Sequence, residues 1–401
     1  MIKVEEALRS ILSYISLLST EEVPLTLSLG RVLAQDIFSD LDIPLLNNSA
    51  MDGYAINSMD SRGASPQTPK TLKVIEELKA GMISSLRIKG GEAIKVMTGV
   101  PIPHGANAVV MVEDTKRQGG EVKIFKEVAP NENIRMAGED IKKGELVIEN
   151  GTLLKPAHIG MLAALGIPQV KVRRKPGIAI LTTGDELCDV EEKSTPGKIR
   201  TSNTYTLYSQ VLSCGGIPHN IGIARDEMDD IEEKIKSGLS LDAIITSGGV
   251  SMGDYDLIRE VLLRMGAEIK FWKVAMRPGK PVLFGVLEGK PVFALPGNPV
   301  SSMICFEMFV RPAILRMLGQ KDDMRHEVEA VLEEDIEKKK GLRFFLRAQT
   351  RWKDGVYFTK TTGLQGSAIL RSMMLANSLI ILPEDEEYIR RGTKVSVRFL
   401  N

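Results

Sequence analysis

Cysteine, histidine and aromatic residues are all scarce in this chain of 401 residues, with three cysteines, four histidines and 5% Phe, Trp and Tyr. Cys188, Cys214 and Cys305 are too far apart for a CxxC zinc pair and too few for a disulfide framework. His104, His158, His219 and His326 contain no HExxH pair and read as structural or surface residues. A transition-metal site of His and Cys is therefore not expected, and any metal should be a hard ion on oxygen ligands. An excess of one charge is also missing, since 52 Lys and Arg balance 52 Asp and Glu. That argues against a nucleic-acid partner or an acidic tail. Long apolar runs are absent too: the most apolar window, 291–310, holds Pro296, Gly297, Asn298, Pro299 and Glu307, which would be costly in a bilayer. The first residues carry Glu5, Glu6 and Arg9 in a helical pattern, unlike a signal peptide. A soluble cytoplasmic protein with no membrane partner is expected.

What is present is ordinary for a folded protein, with 43% hydrophobic and 26% charged residues. At about 150 residues per domain the length suggests two to four domains. Val4, Ala7, Leu8, Ile11, Leu12, Ile15 and Leu18 are spaced for an amphipathic helix over 4–18. From 42 to 143 short β-like runs (72–76, 92–97, 108–113, 121–125) are punctuated by Gly, Pro and Asn, predicting a β-rich insert. Between 176 and 318 strands alternate with helices. Strands are expected at 177–182, 218–223, 242–246, 270–275, 282–286 and 292–295, and helices at 204–214, 228–237, 255–265 and 300–318. Helical crossovers imply a mostly parallel sheet covered on both faces, a three-layer α/β domain. From 323 the β texture returns, at 326–332, 344–352, 355–361, 378–382 and 393–399, with Asp354-Gly355 as a hairpin signal. This predicts a small C-terminal β-barrel or sandwich.

In an open parallel sheet, ligands collect beyond the carboxyl ends of the strands. Three such ends carry informative residues: Thr182, Thr183, Gly184, Asp185 and Glu186; Ser247, Gly248, Gly249 and Ser251; and Pro296, Gly297, Asn298, Pro299 and Ser301. Glycines let backbone N–H groups approach an anion, and hydroxyls add donors. Asn298 suits a helix N-cap and Pro299 the first helical position, leaving that end open to an anion. Any one of these is commonly just a turn; three at equivalent positions of one sheet favour a ligand site. Glu186, Asp226, Asp254 and Asp256 fall at or beyond strand ends. They read either as N-caps of the following helices or as a Mg²⁺ site with an anionic ligand. A glycosidase-type carboxylate pair is less favoured, because aromatics are so few. Lys273, Arg277 and Lys280 follow a strand, and Arg277 and Lys280 bracket a Pro-Gly turn suited to gripping phosphate. Cys188 follows Glu186 without a neighbouring His and reads as a buried thiol. The 18 methionines read as core filler. The loops at 47–55 and 97–101 read, on their own, as a hairpin and a β-turn.

Seven motifs occur in one order: Asn48-Ser-Ala-Met-Asp-Gly-Tyr-Ala55, Met97-Thr-Gly-Val-Pro101, Ala137-Gly-Glu-Asp140, Thr183-Gly-Asp-Glu-Leu187, Ser247-Gly-Gly-Val-Ser251 with Gly253-Asp-Tyr-Asp256, Pro278-Gly-Lys280 and Pro296-Gly-Asn-Pro-Val-Ser301. Together they resemble the molybdopterin molybdenumtransferase family, the molybdenum-insertion enzymes of molybdenum-cofactor biosynthesis. The C-terminal domain of the scaffold gephyrin is a relative. The resemblance runs over essentially the whole chain. It implies that adenylylated molybdopterin and molybdate give molybdenum cofactor and AMP with Mg²⁺, and that molybdopterin adenylyltransferase is a further partner. It also implies an elongated multi-domain homodimer whose site lies between the α/β domain and the partner's insert. Implied domains are 1–24; 25–41 with 144–175; 42–143; 176–322; and 323–401. Carried over by motif, Asp52, Thr98, Glu186, Asp226 and Asp256 would be catalytic, with Glu186, Asp226 and Asp256 also on the metal. Asp140, Thr183, Ser247, Gly248, Gly249, Ser251, Arg277, Lys280, Pro296, Asn298, Pro299, Arg347 and Ser367 would bind substrate, with Arg347 rather than Arg343 as the anion-binding arginine.

Departures from the family pattern are small: Arg277 stands where Lys is frequent, Met252 replaces a usual Val, and Ser378 stands where Gly is common. Two alternatives remain beside this reading: a molybdopterin adenylyltransferase, which lacks the insert and C-terminal domain, and a gephyrin-like scaffold. Molybdate and tungstate are equally acceptable to this reading, being nearly alike in size and charge.

Overall fold

The computed structural model describes residues 1–193, 195–249, 256–320 and 327–400. They form two compact units, Met1–Gln35 with Gly151–Ile159 and Gln169–Asn401, and Asp36–Asn150 with Gly160–Pro168. Among the described residues no helix is long and apolar enough to cross a membrane.

The first unit is built on a six-stranded sheet in the order Ile217–Ala224, Gly177–Thr183, Ala243–Ser247, Lys290–Leu295, Leu283–Leu287, Glu268–Trp272. The first four strands are parallel. Every residue of Gly177–Thr183 is buried, as expected of a central strand covered on both faces. Its side chains divide by the two-residue period of a strand. Ile178 and Ile180 pack with Leu207, Val211 and Ile304 on one face. Ala179 and Leu181 pack with Ile231, Ile235, Ile258 and Val261 on the other. This makes the three layers. Leu283–Leu287 runs antiparallel to Lys290–Leu295, because Glu288 (φ 48°) and Gly289 (φ 77°) turn the chain back in a two-residue hairpin, and the edge strand Glu268–Trp272 is antiparallel to Leu283–Leu287 in turn.

Some element boundaries differ from the sequence expectation. The N-terminal helix is Val4–Ser13, with Val4, Ala7 and Ile11 buried, rather than 4–18. Ile15 and Leu18 join the same core from non-helical chain, Leu18 through an N–H to the Met317 carbonyl (2.9 Å). The apolar spacing therefore tracks burial beyond the point where the helix ends. The helix expected at 300–318 is Pro299–Cys305, a π turn Phe306–Val310, and Arg311–Leu318. Pro312 has no N–H for the Met308 carbonyl, and the wider turn sits just ahead of it. The strand expected at 270–275 is Glu268–Trp272, ended by Lys273 in left-handed backbone (φ 72°).

The C-terminal strands close into a five-stranded barrel. Arg343–Lys353 pairs with both Val356–Thr361 and Ser378–Leu382. Glu327–Leu332 and Lys394–Phe399 complete the ring. Asp354 (φ 50°) and Gly355 (φ 82°) form the expected hairpin turn. Ser378, in place of the commoner glycine, is buried, with Oγ 2.8 Å from Thr350 Oγ1. His326, the first residue of one expected strand, lies outside the described residues. The second unit holds a six-stranded sheet in the order Ala108–Met111, Gly53–Ile56, Glu92–Val96, Lys70–Leu78, Glu121–Ile124, Thr115–Gln118.

Candidate functional site

Three adjacent parallel strands, Gly177–Thr183, Ala243–Ser247 and Lys290–Leu295, end side by side. The loops that leave them border a cleft of about 970 Å³, together with the turn after Ile217–Ala224. Its lining includes Thr183, Glu186, Asp226, Ser247, Gly248, Gly249, Pro296, Asn298 and Pro299. Ser251 lies outside the described residues.

The glycines make this convergence sterically feasible. Gly248 has φ 99°, and a Cβ there would stand 2.3 Å from the Thr183 carbonyl oxygen. A Cβ on Gly249 (φ 65°) would meet Ile258 Cγ1 at 2.7 Å. Only a residue without a side chain lets these two strand ends close on each other. Asn203, absent from the sequence reading, ties the loops together. Its Nδ2 donates to Ser247 Oγ and to the Gly297 carbonyl, both at 2.8 Å. No short motif announces such a bridge, which spans 44 and 94 residues of sequence.

The helix start after the third strand is partly closed. Asn298 holds the N-cap position, but its side chain makes no capping bond. The Val300 N–H is taken by the Ser367 carbonyl at 3.1 Å. Ser367 thereby reaches the cleft rim through its backbone, and Ala368 lines the cleft.

Glu186 and Asp226 share the cleft. The Asp226 N–H donates to Asp185 Oδ1 at 3.3 Å, which brings a third acid to the same edge. Burial, and after it the charges of Asp185 and Glu186, lift the Asp226 carboxyl above its ordinary range. Asp256 has a partner of its own in the fold. It is the N-cap of the helix Leu257–Arg264, with Oδ1 accepting the Arg259 N–H at 3.2 Å. It is buried and does not line the cleft. Its carboxyl is raised by burial, against the lowering effect of that bond and of Arg259 and Lys273. Among the described residues no group of three or more His, Cys, Asp or Glu is arranged to hold a metal.

Arg277 and Arg347 line a different cavity of about 510 Å³ that shares no lining residue with the cleft. Arg277 lies over the Phe344 ring, 5.4 Å from its centroid. Its strand Met276–Arg277 is paired to Arg343–Phe344 of the barrel. Arg347 is fully buried, donating from Nε to Ser372 Oγ (3.1 Å) and from Nη2 to the Gly366 carbonyl (3.0 Å). Its Nη1 has no partner among the described residues, and burial lowers the guanidinium to about 10. Arg343 is instead paired with Glu5 and Glu384. Lys280 is half-buried and lines neither cavity.

The remaining expected residues lie in the second unit. Asp52 Oδ1 accepts both the Thr98 N–H (2.7 Å) and the Thr98 hydroxyl (3.0 Å). The backbone bond first, and the hydroxyl second, hold this carboxyl below its ordinary range. The pairing of Gly53 with Val96 across two antiparallel strands sets the two loops opposite each other. Asp140 is exposed and donates its N–H to the Ile43 carbonyl at 3.1 Å.

Comparison with known proteins covers nearly the whole chain. Residues 2–166 match the MoeA N-terminal region (domain I and II), 179–316 a probable molybdopterin binding domain, and 329–400 the MoeA C-terminal region (domain IV). The chain is 36% identical over 400 residues to a molybdopterin molybdenumtransferase of Staphylococcus aureus (strain COL), covering 99% of this chain and 95% of that one. It is 35% identical over 401 residues to the Bacillus subtilis (strain 168) protein of the same name, covering 99% and 93%. Among solved structures, the molybdopterin biosynthesis moeA protein from Pyrococcus horikoshii OT3 superimposes with a TM-score of 0.85 at 36% identity, covering 100% of both chains.

Proposed function

Because the chain belongs to the molybdopterin molybdenumtransferase family, we propose that it inserts molybdenum from molybdate into adenylylated molybdopterin and releases AMP. The observation that carries this reading is the cleft itself. Hydroxyls, bare glycine backbone and two carboxylates meet there at the ends of adjacent parallel strands. Thr183, Ser247, Gly248, Gly249, Ser251, Pro296, Asn298 and Pro299 form the seat for the molybdopterin portion. Arg277, Lys280, Arg347 and Ser367 are the residues this reading assigns to molybdate, Arg277 and Arg347 from the second cavity and Ser367 from the rim of the cleft. The buried Nη1 of Arg347, without a partner among the described residues, supports that role, because an oxyanion would supply an acceptor.

The acids of the cleft would repel a diphosphate unless a cation stands between them. Glu186 and Asp226 fit Mg²⁺: they are oxygen ligands on one edge of the cleft, and burial first, then the charges of Asp185 and Glu186, disfavour the Asp226 carboxylate unless a cation offsets them. The ion would polarise the phosphorus under attack and steady the leaving AMP. Asp256 is the further acid that the family resemblance assigns to this ion, although its Oδ1 caps the helix Leu257–Arg264 and it does not line the cleft. Glu186 and Asp226 would orient the diphosphate only through that ion, while the glycine loops bring N–H groups to its oxygens.

The same reading has a homodimer in the cytoplasm, supplied with substrate by a molybdopterin adenylyltransferase. Asp52, Thr98 and Asp140 of one subunit serve the cleft of the other. It divides the chain at 1–24, 25–41 with 144–175, 42–143, 176–322 and 323–401. The deciding experiment follows AMP release from adenylylated molybdopterin with molybdate present or withheld, and Mg²⁺ chelated or restored. AMP should appear only with both, and at least tenfold more slowly in Glu186→Gln. AMP release at the full rate from Glu186→Gln, or in the presence of chelator, would defeat the reading.

A further inference from the structure

Among the described residues that line the cleft there are two acids, Glu186 and Asp226, and a single cation, Arg200. Even with one divalent cation between the acids, two carboxylates and a nucleotide-linked diphosphate together leave an excess of negative charge, which backbone N–H groups offset only in part. The arginine and lysine expected from the Pro-Gly turn line other ground: Arg277 borders the second cavity and Lys280 neither. The position of Arg200 is fixed by the segment that carries Glu186. The strand Ile199–Arg200 pairs in parallel with Leu187–Cys188, Leu187 against Ile199 and Cys188 against Arg200. The Ile199 N–H donates to the Glu186 carbonyl (2.8 Å), and the Thr201 N–H to the Cys188 carbonyl (3.0 Å). Thr201 Oγ1 then meets Thr204 Oγ1 at 2.9 Å, anchoring the ribbon to the first turn of the next helix. The guanidinium itself is uncommitted to any carboxylate among the described residues. Its one described bond runs from Nη2 to the Glu192 carbonyl at 3.2 Å, and the residue is exposed.

We infer that Arg200 is a substrate-binding residue whose guanidinium grips the phosphate of the nucleotide portion in this cleft. The inference rests on the reading of the cleft given above and adds the residue that recognises the phosphate. An arginine fork can take two phosphate oxygens at once, a geometry that lysine does not reproduce. Releasing one neutral carbonyl to do so costs little against a charge-assisted pair. The sequence hides this residue, because it lies on a short ribbon between the first strand-end loop and the next helix, not at a strand end of the main sheet.

The test uses AMP and adenosine as probes with the full-length enzyme, by titration calorimetry, alongside turnover of adenylylated molybdopterin. In Arg200→Gln the Kd for AMP should rise about tenfold to a hundredfold. The Kd for adenosine should stay within twofold, so that the preference for the phosphorylated probe collapses. Arg200→Lys should fall between the two enzymes. The KM for adenylylated molybdopterin should rise with the Kd, kcat should move less, and the melting temperature should not change, since the side chain is exposed. An AMP-to-adenosine preference in Arg200→Gln equal to that of the wild type would overturn the inference while leaving the cleft's function intact. A wild-type enzyme that neither binds AMP nor turns over would instead overturn the function, and the inference with it.

Discussion

Gly248 and Gly297 are neighbours in the cleft, yet they would tolerate a methyl group very differently. At Gly248 a Cβ would be driven to 2.3 Å from the Thr183 carbonyl, on backbone with φ 99°. At Gly297 the nearest atom to a Cβ is Gly248 Cα, at an ordinary 3.5 Å. Gly248→Ala is therefore expected to destabilise the fold by about 1–3 kcal/mol, as strain and displacement of the strand ends demand. Gly297→Ala should melt like the wild type. Its methyl would nevertheless enter space that a ligand needs, so KM should rise without a change in stability. Thermal denaturation and steady-state kinetics on the two variants separate these effects. A Gly297→Ala enzyme with unaltered KM would remove Gly297 from the ligand's surroundings.

Strands and hairpins were legible because their pattern is short and local. The apolar run ending at Thr183 and the Asp354-Gly355 turn needed no long-range information. Helix ends were harder, since Ile15 and Leu18 keep a helical spacing while packing from irregular chain. The π turn at Phe306–Val310 depends on Pro312 acting on the turn before it, which apolar periodicity does not register. Asp256 shows the same difficulty in a functional residue: its place beyond a strand end suits a cap and a metal ligand equally, and only coordinates reveal the cap. That bond makes a prediction about the helix Leu257–Arg264. Asp256→Ala loses the cap and should cost about 1 kcal/mol. Asp256→Asn keeps an acceptor on the Arg259 N–H and discards a charge that burial disfavours. The folded-state carboxyl is raised, so ionisation weakens the fold above the ordinary carboxylate range and has no effect below it. Asp256→Asn should consequently match or exceed wild-type stability at pH 7, and this margin should vanish as the pH falls to about 4. Denaturant titrations at the two pH values check it; an Asn variant less stable at pH 7 than at pH 4, relative to wild type, would contradict the assigned shift.

At the scale of the whole molecule, the order of motifs along the chain was legible, while their grouping in space was not. Glu186 and Asp226 are 40 residues apart in sequence and share a cleft, whereas Arg277 and Lys280 flank one turn and do not share a cavity. Asp52 and Thr98 belong to the other compact unit, bonded to each other across paired strands. A dimer with shared sites predicts complementation. Asp52→Asn and Glu186→Gln enzymes should each be inactive alone. Co-expressed and isolated as mixed dimers, they should recover up to half the wild-type rate, because one of the two sites then has both residues intact. Mixed dimers as inactive as their parents would place both residues in one subunit's site.

The hydrogen bond from Val300 to the Ser367 carbonyl has a consequence for how the two halves of the first unit communicate. It stitches the segment after the third parallel strand to the C-terminal part of the chain by main-chain atoms alone, indifferent to side-chain identity. Any shift of the barrel's connecting loop is therefore felt at the mouth of the cleft, and the amide of Val300, read by its rate of deuterium uptake, is a gauge of how firmly that loop is seated.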